Sequence, residues 1–122
     1  NGARKMAVFE DPNCGYCKKL HKELTTLDNV TVYTFLFPIL APDSVTKANN
    51  VWCAKDQATV WTDWMNKGIG PPAATCETPI EKNLALGQKL AAQGTPAIFF
   101  ESGSRVNGYV PAARLNQELD RK

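Results

Sequence analysis

Nothing in this sequence is long and apolar enough to lie across a membrane; the longest hydrophobic run, TFLFPIL, is short and interrupted by Pro38. An excess of one charge sign is missing too. The formal net charge is +2, and Lys and Arg are scattered rather than clustered. That leaves no footprint for nucleic acid or for an anionic membrane surface. Repeats, low-complexity tracts and linkers are absent. With 122 residues, 43% of them hydrophobic and 21% charged, the chain can bury one core and is too short for two ordinary domains, so residues 1–122 read as a single domain. It opens on NGARK, with neither an initiating Met nor an apolar signal core. The expectation is a processed or truncated product whose targeting segment lies outside it.

What the chain does carry is four cysteines, Cys14, Cys17, Cys53 and Cys76, which allow three pairings. If Cys14 and Cys17 share a helical turn they have little choice of partner, and Cys53 is left with Cys76. A bridge across that loop contributes about 3 kcal/mol in the chain-entropy account. An even count fits an oxidising compartment better than cytosol, although the same count also suits zinc.

KMAVFED reads as a buried strand, and Asp11-Pro12-Asn13 as a turn in which Asn13 caps the next helix. From Cys14 the pattern turns helical, with Leu20, Leu24 and Leu27 on one face and Lys18, Lys19, Lys22 and Glu23 toward solvent. NVTVYTFLF alternates like a strand until Pro38. The stretch from Ser44 to a stop at Gly68 reads as helix, with Val45, Val51, Trp52, Val60, Trp61, Trp64 and Met65 apolar. Thr78-Pro79-Ile80-Glu81 predicts a helix start capped by Thr78, running through Leu84, Leu86 and Leu90 to Gly94. AIFFE and RVNGYV, joined by Ser102-Gly103-Ser104, predict a hairpin, and Pro111 opens a last helix with Leu115 and Leu119 inward. The order is β-α-β, a helical block, then β-β-α, which predicts helices on both faces of a four-stranded mixed sheet.

The two close cysteines therefore fall at a strand-to-helix switch. Helix N-terminal N–H groups favour Cys14 as thiolate, below the free value of about 8.5, whereas Cys17, one turn further in, is shielded. That asymmetry makes Cys14 the residue that attacks a substrate disulfide and Cys17 the one that resolves the mixed disulfide. Gly15 leaves room beside Cys14, and Tyr16 offers an aromatic surface. Thr95-Pro96 opens a later strand without a proline N–H, which frees the main chain of Thr95 for another polypeptide if the peptide is cis, a form found in about 5% of X-Pro bonds.

CGYCKKLH, VWCAKD, ALGQKLAAQGTPAIFF and GYVPAARLNQEL, in that order across nearly the whole chain, resemble the catalytic domain of the bacterial periplasmic disulfide isomerases of the DsbC/DsbG group, a branch of the thioredoxin superfamily. The resemblance implies an α/β thioredoxin fold with a helical insertion at about 43–93. It implies Cys14 as nucleophile and Cys17 as resolving cysteine, with Gly15, Tyr16, Thr95 and a cis-Pro96 at the substrate site. It further implies a structural Cys53–Cys76 disulfide and no cofactor. Misfolded or misoxidised proteins are the implied substrates and a membrane thiol reductase of DsbD type the implied partner. The full-length relatives form a homodimer through an N-terminal domain not contained in this chain, so the chain alone is expected to be a monomer that exchanges disulfides well and isomerises poorly. Where many thioredoxin-like proteins carry a buried acid, six residues before the first cysteine, this chain has Val8, with Glu10 and Asp11 nearer the motif.

Other readings compete. A zinc ribbon needs a second close-spaced cysteine pair, yet Cys53 and Cys76 stand far apart. His21 on the Cys14–Cys17 face offers a third ligand, but a half-exposed helix residue that modulates the dithiol when protonated is the better reading. Trp52, Trp61 and Trp64 at helical spacing read as core, as do Phe9 and Phe37, and the lysines as a solvated face. A thiol:disulfide isomerase or reductase of the periplasm is the expectation, and a net dithiol oxidase or a non-catalytic holdase the alternatives.

Overall fold

The run RKMAVFE becomes strand β1 (Arg4–Glu10), and its alternate side chains feed two different cores. Met6 and Val8 pack with Leu20, Ile98, Phe100, Val106 and Leu115 on one face. Phe9 points the other way, to Phe37, Ala92 and Ala97. The computed structural model describes residues 2–121. After β1 come α1 (Gly15–Leu24), β2 (Val30–Leu36), α2 (Ser44–Trp52), α3 (Gln57–Lys67), α4 (Ile80–Lys89), β3 (Ala97–Phe100), β4 (Arg105–Asn107) and α5 (Ala112–Leu119).

The sheet runs β2-β1-β3-β4, with β1 parallel to β2 and antiparallel to β3, and β3 antiparallel to β4. This is the four-stranded mixed sheet with helices on both faces that the element order predicts. On the second face Phe9 stacks on Phe35 at 4.9 Å between ring centroids and meets Phe37 and Phe99 edge-on. A third core, of Cys14, Cys17, Leu36, Ala48, Val51, Trp61, Met65 and Ile80, joins α1 to the helical block.

Several local expectations fail for identifiable reasons. The single helix expected from Ser44 to Gly68 is two, because the Asp56 side chain accepts from Thr59 N at 3.2 Å and starts α3 afresh. Its end at Gly68, in the left-handed region with φ 70°, is as expected. Thr78 caps nothing; its hydroxyl donates to Asn49 Oδ1 at 2.9 Å, and Pro79 precedes the first helical residue. α4 stops at Lys89, ahead of Gly94, because Ala91 adopts φ 59° and Ala92 N closes onto Gly87 O at 2.8 Å. Within α4, Leu86 and Leu90 face out, while Ile80 and Gly87 face in. Trp52 is exposed rather than core, and the apolar Val45 is exposed too, whereas Trp61 is buried and Trp64 half-buried. β4 ends at Asn107, where Gly108 takes φ 114°.

Gly87 faces inward because α4 lies directly on the buried ring of Phe37, and a Cβ at that position would overlap it. Alanine is favoured over glycine in a helix by about 1 kcal/mol, but overpacking a wedged aromatic costs roughly 1–3 kcal/mol. Gly87→Ala is therefore expected to destabilise by about 1 kcal/mol, seen as a lower urea midpoint at unchanged slope; an equal or higher midpoint would mean that Phe37 yields without cost.

Candidate active site

The first residue of α1 is set by the turn before it. Cys14 N donates to Asp11 O at 3.0 Å, closing Asp11-Pro12-Asn13 as a turn. Asn13 is not the cap: Cys14 occupies that position, and its Sγ accepts the Cys17 N–H at 3.0 Å. The first turn carries no acidic side chain and the last carries His21 and Lys22, so no acid of α1 itself competes with sulfur for the positive end of the helix. Cys14 and Cys17 are joined as a disulfide. Cys14 is only 3% exposed and Cys17 fully buried, whereas Tyr16 is 66% exposed and the space beside Gly15 is open.

Asn13 instead ties the turn to α2. Its Nδ2 donates to Asp43 Oδ1 at 2.8 Å and Ser44 Oγ at 2.9 Å, and its Oδ1 accepts from Lys47 Nζ at 2.8 Å. The Lys47 ammonium beside Asp43 holds that carboxyl below the usual carboxylate range. Trp64 of α3 donates through Nε1 to Pro12 O at 2.6 Å, and its ring lies under the ammonium groups of Lys18 and Lys47, at 4.4 and 4.6 Å. Lys19 covers the Tyr109 ring at 4.5 Å. Lys18 and Lys19 thus rest on aromatic faces rather than forming a purely solvated stripe.

Beneath the turn are two fully buried carboxylates that the sequence marks only by proximity. Asp11 accepts from Asn13 N at 2.7 Å, Ile39 N at 2.6 Å, Leu40 N at 2.7 Å and Ser44 Oγ at 2.8 Å. It thereby holds the chain after β2 against the turn, with the Ile39 and Leu40 side chains exposed beside it. Glu10 pairs with His21 Nε2 at 2.8 Å and accepts from Thr34 Oγ1 at 3.3 Å. His21, expected half-exposed, is buried: a carboxylate one helix-width away gives its ring a reason to point inward.

The antiparallel register sets Phe9 opposite Ala97, so the Thr95–Pro96 peptide, which is cis, lies at the same end of the sheet as the turn. Pro96 is buried and its carbonyl accepts from Gly108 N at 2.8 Å. Thr95 Oγ1 is buried without a partner, at a hollow of about 320 Å³ shared with Gln93 and Asn107. A larger hollow, about 530 Å³, runs along β2 between Trp52 and Trp61 and touches none of the expected site residues. Cys53 pairs with Cys76 away from the turn, tying the end of α2 to the loop before α4. Among the described residues no group of three or more His, Cys, Asp and Glu side chains is arranged to hold a metal ion.

A family model described as a thioredoxin-like domain matches residues 1–122. The probable thiol:disulfide interchange protein DsbC of Bordetella parapertussis is 60% identical over 119 residues, covering 98% of this chain and 43% of that protein. The thiol:disulfide interchange protein DsbC of Escherichia coli K12 is 36% identical over 120 residues, covering 94% of this chain and 50% of that protein. The chain thus spans half the length of these relatives or less. A disulfide interchange protein from Neisseria gonorrhoeae superposes with a TM-score of 0.92 at 40% identity, over 97% of this chain and 86% of that one.

The Asp11 cluster yields a direct stability test. Each buried donor left without an acceptor costs about 1–3 kcal/mol, so Asp11→Ala is expected to lose roughly 3 kcal/mol or more in urea unfolding of the oxidised protein. A loss under about 1 kcal/mol would mean that water replaces the carboxylate at that depth.

Proposed function

The chain belongs to the thioredoxin-like family, and on that premise we propose that it is the catalytic unit of a periplasmic thiol:disulfide oxidoreductase that isomerises or reduces misoxidised proteins through Cys14 and Cys17. The observation that carries the reading is the cap of α1. The Cys14 sulfur sits where a helix N-terminal N–H already points at it, at 3.0 Å, so that on reduction the negative charge has a donor waiting. Its partner Cys17 is sealed from solvent. One sulfur is thus prepared as an anion and the other kept in reserve.

In the proposed reaction the Cys14 thiolate attacks a substrate disulfide past the open side of Gly15. A Cys14–substrate disulfide forms and one substrate sulfur leaves as thiolate. Either a different thiolate of the same substrate attacks the substrate sulfur of the mixed disulfide, forming a rearranged bond and returning Cys14 as thiolate, or Cys17 attacks Cys14 Sγ and releases the substrate reduced. The first route is isomerisation and the second reduction. Tyr16, with the exposed Ile39 and Leu40, supplies apolar surface for unfolded polypeptide, and the main chain of Thr95 before the cis Pro96 offers hydrogen bonds to it. The Cys53–Cys76 bond serves as a staple of the helical block. In the whole protein, a homodimer and a membrane reductase of DsbD type complete the cycle. The likeness to relatives named thiol:disulfide interchange proteins supports the exchange chemistry itself.

Cys14→Ser is expected to abolish turnover of a model protein disulfide, whereas Cys17→Ser accumulates a covalent Cys14–substrate adduct visible by mass spectrometry and reversed by dithiothreitol. An active Cys14→Ser protein would end the proposal.

A further inference from the structure

We propose that the Glu10–His21 pair takes up the proton that Cys17 sheds when it resolves a mixed disulfide, an inference that rests on the exchange reading above. Cys17 is fully buried, and the buried residues that α2, α3 and α4 and the end of β2 bring to it are Leu36, Ala48, Val51, Trp61, Met65 and Ile80, none ionisable. A thiol attacks only as thiolate, so its proton needs an acceptor inside this apolar shell.

The ionisable groups around it are few, and most are committed. Cys14 is itself in the mixed disulfide at that moment. Lys18 rests on the Trp64 ring and is a cation. Asp11 already accepts from four donors, which occupy the lone pairs a base would use. Glu10 accepts only from His21 and from the Thr34 hydroxyl. His21 lies four residues after Cys17 on α1, and helical side chains lean toward the N-terminus, which carries the ring back toward the turn holding Cys17. Trp61, a member of the Cys17 core, meets that ring edge-on at 5.8 Å and limits its rotation. With Nε2–H donating to the Glu10 carboxylate, the lone pair of the imidazole is at Nδ1.

The step balances within these groups. The Cys17 S–H proton passes to His21, the Cys17 sulfur bonds to Cys14 Sγ, and the Cys14–substrate S–S bond breaks with its electron pair leaving on the substrate sulfur. The imidazolium then returns the proton to the substrate thiolate or to water. Glu10 acts as a positioning residue that selects the tautomer.

The reduced protein is mixed with 5,5′-dithiobis(2-nitrobenzoate) from pH 5 to 9 and thionitrobenzoate release is followed by stopped flow. The first release reports Cys14 attack and the second reports resolution by Cys17. In Glu10→Gln and in His21→Gln the second phase is expected to slow about 100-fold at pH 7 and to regain rate steadily as pH rises, because the Cys17 thiolate then depends on hydroxide alone, with the first phase within about twofold of the parent. The double variant Glu10→Leu/His21→Leu replaces both partners of a buried hydrogen bond by apolar side chains, an exchange that can be nearly neutral, and it carries the same test if a single variant fails to fold. A second phase unchanged within about twofold, or slowed equally at every pH, overturns the proposal. Absence of the first phase in the parent protein would instead overturn the exchange reading.

Discussion

The site hangs on one buried carboxylate. Asp11 accepts from the turn that leads into α1, from two successive amides after β2, and from the first residue of α2. Three separate parts of the chain converge on two oxygen atoms, with no solvent to share the work. Held by this many donors, the carboxylate has a fixed position, which gives the turn a single conformation. That conformation makes Cys14, rather than Asn13, the helix cap. The sulfur consequently meets the helix N–H, and the apolar body of the turn is pressed against α2 and α3.

The helical block therefore does more than fill space. Trp64 fastens the Pro12 carbonyl, Asn13 is held from α2 by three side chains, and Trp61 covers the inner sulfur. Each of these contacts joins positions at least thirty residues apart, so the turn before α1 is ordered only when the whole domain is folded. The Cys53–Cys76 bond, with the Asn49–Thr78 and Asn50–Ala74 hydrogen bonds, fixes the same block from its far side. Rigidity around a dithiol has a functional sense: an attacking sulfur aligned in advance loses less entropy on reaction.

Much of this was legible in the residues. The order of elements, the strand-to-helix placement of Cys14 and Cys17, the Thr95-Pro96 strand start and the core role of Phe9 all follow from local pattern. What escaped depends on contacts distant in sequence. Asn13 looks like a cap because of its type, yet its side chain is drawn away by residues thirty positions on. Thr78 is drawn to Asn49 in the same way. His21 reads as half-exposed because nothing near it in sequence shows that Glu10 of β1 lies beside its ring. The inward face of α4 is set in the same way, by a glycine that makes room for Phe37. Local chemistry proposed each element, and long-range partners decided which of its atoms were free.

Disulfide exchange at this site requires the Cys14–Cys17 bond to be the labile one of the two. The most direct measurement is a glutathione redox titration with each alkylated cysteine located by mass spectrometry. A sulfur held at a helix N-terminus is more stable as thiolate, which favours the reduced pair. The account therefore expects a Cys14–Cys17 potential of about −120 to −200 mV, with Cys53 and Cys76 protected throughout. A Cys14–Cys17 potential below about −300 mV would place that bond among structural disulfides and contradict the account.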